Sequence, residues 1–211
     1  MTTRLDIISD PICPWCYIGK ARLDAALAKA GNPFEITWHP FQLNPDMPSE
    51  GMDRRAYLEG KFGKEQATAF YAQIEDAAIQ SGLDVDFAKI ARTPNTIDAH
   101  RLIRWARTDD LQHAVGSVLF RLYFKEGRDI SDHTVLLDAA DESGMDRALV
   151  ARLLASDADI DDVKAEDANG RQMGVSGVPC FIIGGKFAVQ GAQDVETWVK
   201  IIGDLDTMLA E

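Results

Sequence analysis

A strand, a helix and a second strand are written into the first 43 residues, and that order limits what the rest of the chain can do. Residues 4–9, RLDIIS, are short, aliphatic and β-branched, and they stop at Asp10-Pro11, the pattern of a buried strand. A helix follows from about Cys13 to Ala30, with Ile18, Leu23, Ala26, Leu27 and Ala30 at helical spacing, until Gly31 and Pro33 end it. FEITWHPFQL, residues 34–43, reads as the second strand, with Ile36 and Trp38 on one face and Pro40 ending regular pairing. Two strands joined through a helix must lie parallel, and the crossover is right-handed.

From Asn44 the texture changes. NPDMPSEG is a turn-rich exit, and the pattern then turns helical over 53–62, 65–80, 95–107, 111–125, 132–143, 146–155 and 159–173. One helix start is well marked: Asn95 can cap, with Asp98 three residues on, ahead of Leu102, Ile103 and Trp105. The α/β character returns at GVSGVPCFIIGGKFAVQGAQ, where apolar runs 180–183 and 186–190 flank Gly184-Gly185, a two-residue hairpin signal. Val195, Trp198, Val199, Ile202, Leu205 and Leu209 then mark a closing amphipathic helix. The fold class is therefore α/β, strand-helix-strand and strand-strand-helix halves with a large all-helical insertion. The discontinuous α/β domain is placed at 1–44 and 166–211 and the inserted helical domain at 45–165.

Charge excludes several partners. The formal net charge is −12, from 34 acidic against 22 basic residues, which repels nucleic acid and anionic lipid. The acidic run DADIDDVKAED, 157–167, reads as a solvated helical face. No stretch approaches the roughly 20 apolar residues of a membrane helix. MTTRLDIISD has no basic segment leading into an apolar one, so the expected address is the cytoplasm, where thiols stay reduced. Three cysteines in 211 residues cannot build a disulfide scaffold.

Two of those cysteines form Cys13-Pro14-Trp15-Cys16. A C-x-x-C beside a strand-helix-strand unit reads as a redox motif. Cys13 falls at the first turn of its helix, where free N–H groups and the positive dipole end favour a thiolate. Such placement can bring a thiol pKa from about 8.5 to roughly 3.5–7.5. Cys16 lies one turn on, on the same side and within reach of a disulfide. Pro14 suits the first helical positions, and Trp15 is expected to stand exposed beside the pair as a docking surface. Cys13 then attacks and Cys16 resolves. The metal alternative is a zinc site completed by Cys180 and one of His39, His100, His113 or His133. It lacks a second C-x-x-C or a closely spaced histidine pair.

CPWCYIG, NTIDAHRLIRWA (95–106) and GVSGVPCFIIGGKFAVQGAQ, in this order, resemble the thioredoxin superfamily. Within it the chain is similar to the DsbA-like branch. The likeness is greatest to the FrnE-type proteins grouped with kappa-class glutathione transferases and 2-hydroxychromene-2-carboxylate isomerases, and it covers essentially the whole chain. The resemblance implies a thioredoxin fold and a protein thiol–disulfide oxidoreductase with Cys13 and Cys16 catalytic. It implies that Pro14, Trp15, Val178 and Pro179 rest the substrate, with Pro179 in a cis-proline loop that keeps metal out. No metal or organic redox cofactor is expected. Substrates would be proteins or small molecules bearing disulfides or thiols, with glutathione a candidate reductant and a homodimer an expectation of family habit alone. The relatives that isomerise or transfer carry serine where this chain has Cys13, so glutathione-dependent isomerase or transferase activity is the alternative. A binding protein with an idle dithiol is a third. Cys180 reads as a small buried residue opening a strand, with a third reactive thiol as the other reading. Asn95 and His100 read as a cap and a packed histidine.

Overall fold

The computed structural model describes residues 2–210, with side chains throughout except at positions 64, 65 and 67–70. β1 (Thr3–Ser9) is buried from Leu5 onward, as an aliphatic run at the centre of a sheet must be. α1 (Pro14–Ala30) carries the chain over one face to β2 (Phe34–Pro40), which pairs parallel with β1 from Thr3↔Phe34 to Ser9↔Pro40. The second strand thus ends at Pro40, three residues short of the expected 43.

The middle of the chain holds α2 (Arg54–Phe62), α3 (Lys64–Gln80), α4 (Ile97–Trp105), α5 (Gln112–Phe124), α6 (His133–Glu142), α7 (Arg147–Leu154) and α8 (Ile160–Gln172). These match the seven expected helices to within two residues at each end. Two short strands were not expected, β3 (Met52–Asp53) and β4 (Arg92–Thr93), which pair antiparallel. A two-residue strand has no period to read. The chain closes with β5 (Cys180–Ile183), β6 (Phe187–Gln190) and α9 (Val195–Ala210), giving nine α-helices among the described residues. The hairpin loop has three residues rather than two: Ile183 pairs with Phe187, and Gly184 and Gly185 take the positive φ the reversal requires.

The main sheet runs β2-β1-β5-β6, with β5 antiparallel to β1. Period two sorts its faces. Leu5, Ile7, Trp38, Phe181 and Ile183 face α1, α9 and α5, whereas Ile8, Cys180 and Phe41 form a separate cluster on the far side with Val175. The helical block packs directly on this frame. Tyr17 of α1 stacks on Phe120 of α5 at 5.1 Å, and Trp38 of β2 lies 6.3 Å from the same ring. The position 165/166, expected as a boundary, falls inside α8, a helix that leans on β2.

Candidate active site

α1 begins at Pro14, and Cys13 is its N-cap, in an extended backbone conformation. Proline at this position loses no helical hydrogen bond. The Cys13 N–H donates to the Asp10 carbonyl at 2.9 Å, and the Cys13 carbonyl accepts from Cys16 N at 3.1 Å. A tight turn therefore fixes one sulfur at the helix start and the other one turn inside. Cys13 is 4% exposed and Cys16 2%, and no disulfide joins the three cysteines.

Cys13 Sγ donates to the Val178 carbonyl at 3.6 Å, and the Val178-Pro179 peptide is cis. The two segments are 165 residues apart in sequence and meet at the sulfur. Gly19 makes the approach: a Cβ there would stand 3.0 Å from Pro179 Cγ and 3.4 Å from Phe181. Burial pushes the Cys16 thiol well above its ordinary value, and the neighbouring Cys13 sulfur adds to the rise. The Ser9 hydroxyl and the Asp10 N–H face the Cys16 sulfur and partly offset this.

Behind the dithiol lies a group the sequence did not single out. Asp10 is fully buried. Its Oδ2 accepts from Leu43 N at 2.7 Å and its Oδ1 from Ile12 N at 3.3 Å. Burial nevertheless raises its pKa to about 7. His100 of α4 sets Nε2 3.7 Å from Asp10 Oδ1, and burial lowers its pKa to about 4. His100 also bonds the Phe41 backbone carbonyl, and its Nε2 has no hydrogen-bond partner among the described residues. In sequence Asp10 looked only like the end of a strand before proline; an acid three residues ahead of a C-x-x-C was the available signal.

In front of the dithiol is a groove of about 250 Å³. One wall is Cys13, Trp15 and Val178; the other is Arg54, Tyr57 and Lys61 of α2. Trp15 is half-buried and packs on both the main core and the Ile18–Ile74 cluster, so it does not stand free as expected. A large ring beside an apolar wall gains more by burial than by exposure.

The remaining sequence-predicted residues lie apart. Cys180 is fully buried on the sheet face opposite α1, where Gln190 Nε2 donates to its sulfur at 3.2 Å, and burial raises its thiol. The sheet separates it from Cys13 and Cys16. Asn95 Oδ1 accepts from Ile97 N at 2.9 Å in a turn just ahead of α4, whose N-cap is Thr96 rather than the expected Asn95, and its amide donates to Met47 O. His39, His113 and His133 bond Asp6, Asp24 and Asp98, away from the sulfurs. Among the described residues no group of three or more His, Cys, Asp or Glu is placed to hold a metal ion.

Known proteins share the fold that carries these residues. The probable DsbA oxidoreductase of Streptomyces coelicolor matches with a TM-score of 0.87 at 30% identity, over 97% of this chain and 90% of that one. A 2-hydroxychromene-2-carboxylate isomerase shares the fold at 17% identity, TM-score 0.74, over 98% of both chains. So does the cytosolic disulfide reductase DsbM of Pseudomonas aeruginosa, at 19% identity, TM-score 0.68, again over 98% of both. The family described as the DSBA-like thioredoxin domain matches residues 4–203, and the chain belongs to it.

Proposed function

We propose that the protein is an enzyme that exchanges thiols and disulfides through Cys13 and Cys16. The observation that carries this reading is the placement of the Cys13 sulfur, at a helix start, against the Val178 carbonyl and in the lining of a groove. The Cys13 thiolate attacks one sulfur of a disulfide, forming a mixed disulfide and releasing the first thiol. Cys16 then attacks Cys13, closing the protein disulfide and releasing the second thiol. Two electrons pass from the dithiol to the substrate, and the reverse sequence oxidises a dithiol. The high pKa of Cys16 suits the order of the steps: a protonated inner thiol leaves the outer sulfur to attack first, and Cys16 gives up its proton as it resolves the mixed disulfide. The Val178 backbone would pair with an extended segment of substrate. A small thiol such as glutathione would return the oxidised pair to the dithiol; a structure of DsbM is described with it.

Reduction of a model protein disulfide tests the reading. Cys13→Ser should abolish turnover, and Cys16→Ser should stop it while accumulating mixed disulfide on Cys13. Activity toward a glutathione-dependent isomerisation that survives Cys16→Ser, with no dithiol cycling, would instead place the chain with the isomerases.

A further inference from the structure

A cleft of about 300 Å³ opens on the face of the main sheet turned away from the dithiol. Arg4, Asp6 and Ile8 alternate along β1 and so share that face, with His39 of β2 and Ile182 of β5 beside them. α8 forms the other wall through Glu166, Gly170 and Met173, at spacings of four and three. Two features of this cleft are left open within the chain.

The first is Asp6, only 6% exposed in a strand otherwise aliphatic from Leu5 to Ile8. Its hydrogen bonds all fall on one oxygen. Oδ1 accepts from Arg4 Nε at 2.9 Å and Nη2 at 2.7 Å, and it meets His39 Nε2 at 2.7 Å. No donor reaches Oδ2 among the described residues, and Oδ2 is not fully enclosed. Buried acceptors are almost always bonded, so this oxygen marks where a donor from outside the chain belongs. Arg4 and His39 already answer the charge of Asp6, as Arg104 and Arg107 answer that of Glu166. What Oδ2 lacks is a hydrogen rather than a cation.

The second is Gly170. It is buried within α8, yet no atom lies within 4 Å of a Cβ built on it. Glycine weakens a helix relative to alanine, and here no close neighbour requires it. Gly19 is the contrast, since a Cβ there would stand 3.0 Å from Pro179. The open space over Gly170 belongs to the cleft, whose remaining surface is apolar: Ile8, Pro40, Ile182 and the 63%-exposed Met173.

We propose that this cleft binds a small uncharged alcohol or phenol, whose hydroxyl donates to Asp6 Oδ2 and whose apolar body lies over Gly170 against Ile8, Ile182 and Met173. A hydroxyl is the fitting head group. An ammonium would add a third positive charge beside Arg4 and His39, and a carboxylate would set lone pairs against Oδ2. At about 300 Å³ the cleft stands at the lower end of the usual ligand-pocket range, which limits the guest to a ring with a short chain. The site lies across the sheet from Cys13, and its occupancy does not depend on the exchange chemistry.

Isotope-labelled protein is titrated with isomeric pairs and followed by amide NMR shifts. The pairs are cyclohexylmethanol with methoxycyclohexane, and p-ethylphenol with p-methylanisole. Each pair matches in size and differs in owning an O–H. Saturable shifts are expected at Ile8, Gly170 and Ile182, with the hydroxyl compound of at least one pair binding about tenfold more tightly than its ether, the worth of one hydrogen bond to a charged group. A preference in one pair alone assigns the guest to alcohols or to phenols. Cyclohexanemethylamine and cyclohexanecarboxylate should bind more weakly than the uncharged hydroxyl compounds. Asp6→Val, which removes the acceptor, should bring the isomers to equal affinity. Gly170→Leu, which fills the space, should abolish the shifts from every probe and leave reaction at Cys13 unchanged. Equal affinity within both pairs in the parent, tighter binding of either charged analogue, or no saturable shift at millimolar probe overturns the proposal. So does binding that survives Gly170→Leu. Where a variant does not fold, the parent's own shifts decide: shifts centred on Ile8, Gly170 and Ile182 support the site, and shifts elsewhere overturn it.

Discussion

Asp10 and His100 face each other in the core 3.7 Å apart, and burial drives each toward its neutral form. The carboxyl, at about 7, is protonated through mildly acidic pH, and the imidazole, at about 4, is neutral there. In the unfolded chain the order reverses, with Asp near 3.9 ionised and His near 6.5 charged. Folding therefore moves a proton from histidine to aspartate between pH 4 and 6.5, and the pair's net uptake there is close to zero. Taken alone, the raised Asp10 pKa gives stability that is full below about 4 and lost as pH rises to about 7. The lowered His100 pKa alone gives the opposite slope, stability lost as pH falls from 6.5 to 4. Asp10→Asn leaves the second slope uncompensated, so this variant should gain stability relative to the parent as pH rises from 4 to 7. His100→Gln should lose it over the same range. Linkage limits each change to about 4 kcal/mol. Urea midpoints at several pH values check both, and parallel curves for parent and variants would overturn the two opposed shifts. At this scale the sequence was half legible. Cys13 and Cys16 carried their chemistry in their spacing, but Asp10 did not, because patterning predicts buried residues to be apolar and reads an acid before proline as a turn. Trp15 was misplaced for a related reason: spacing puts a ring beside the dithiol without saying what covers it.

The helix start matters because a second element reaches it. Val178 meets the Cys13 sulfur, Pro179 packs where Gly19 leaves room, and Pro179 is a rigid ring that cannot swing away. In an open helix, glycine to alanine stabilises by about 0.5–1 kcal/mol. Gly203 in α9 is such a site, exposed and with nothing within 4 Å of an added Cβ. At Gly19 the sign should invert. Gly19→Ala should destabilise by about 1–3 kcal/mol, as overpacking does, and should slow reaction at Cys13 by displacing α1 from Val178. Thermal melts of the two variants, with the exchange rate of each, test this; stabilisation at both sites would mean the α1–Pro179 contact is loose. Element order and helix positions were legible because long amphipathic periods and Gly/Pro breaks survive in one dimension. β3 and β4 were not, since two residues set no period, and neither was the groove wall of Arg54 and Lys61, because helical spacing does not show what a face is opposite.

At the scale of the molecule, the question is whether the helical block is a passenger or part of the same core. Phe120 answers it. The ring comes from α5, is 1% exposed, and sits among Tyr17 at 5.1 Å, Trp38 at 6.3 Å and Phe124 at 6.2 Å. Two of those neighbours belong to α1, which carries the dithiol, and to β2 of the main sheet. Gly116, one turn earlier, places its Cα close enough to Trp38 that an added Cβ would lie 3.6 Å from the indole. A core shared in this way couples the stability of its parts, so sheet and helices should unfold together. Helical circular dichroism reports mainly the block, whereas in a Trp15→Phe, Trp105→Phe background the emission of Trp38 in β2 and Trp198 in α9 reports the α/β half; the two should give one coincident urea transition. Phe120→Ala should move both signals together by about 3–5 kcal/mol, the usual cost of emptying a buried phenylalanine site. It should also loosen Tyr17, whose backbone N–H bonds the Cys13 carbonyl at 3.3 Å, and so reach the reactive sulfur through one hydrogen bond. If the variant lost its helical signal at lower urea than its tryptophan signal, the block would be a separate folding unit. The dithiol would then owe its geometry to the α/β frame alone.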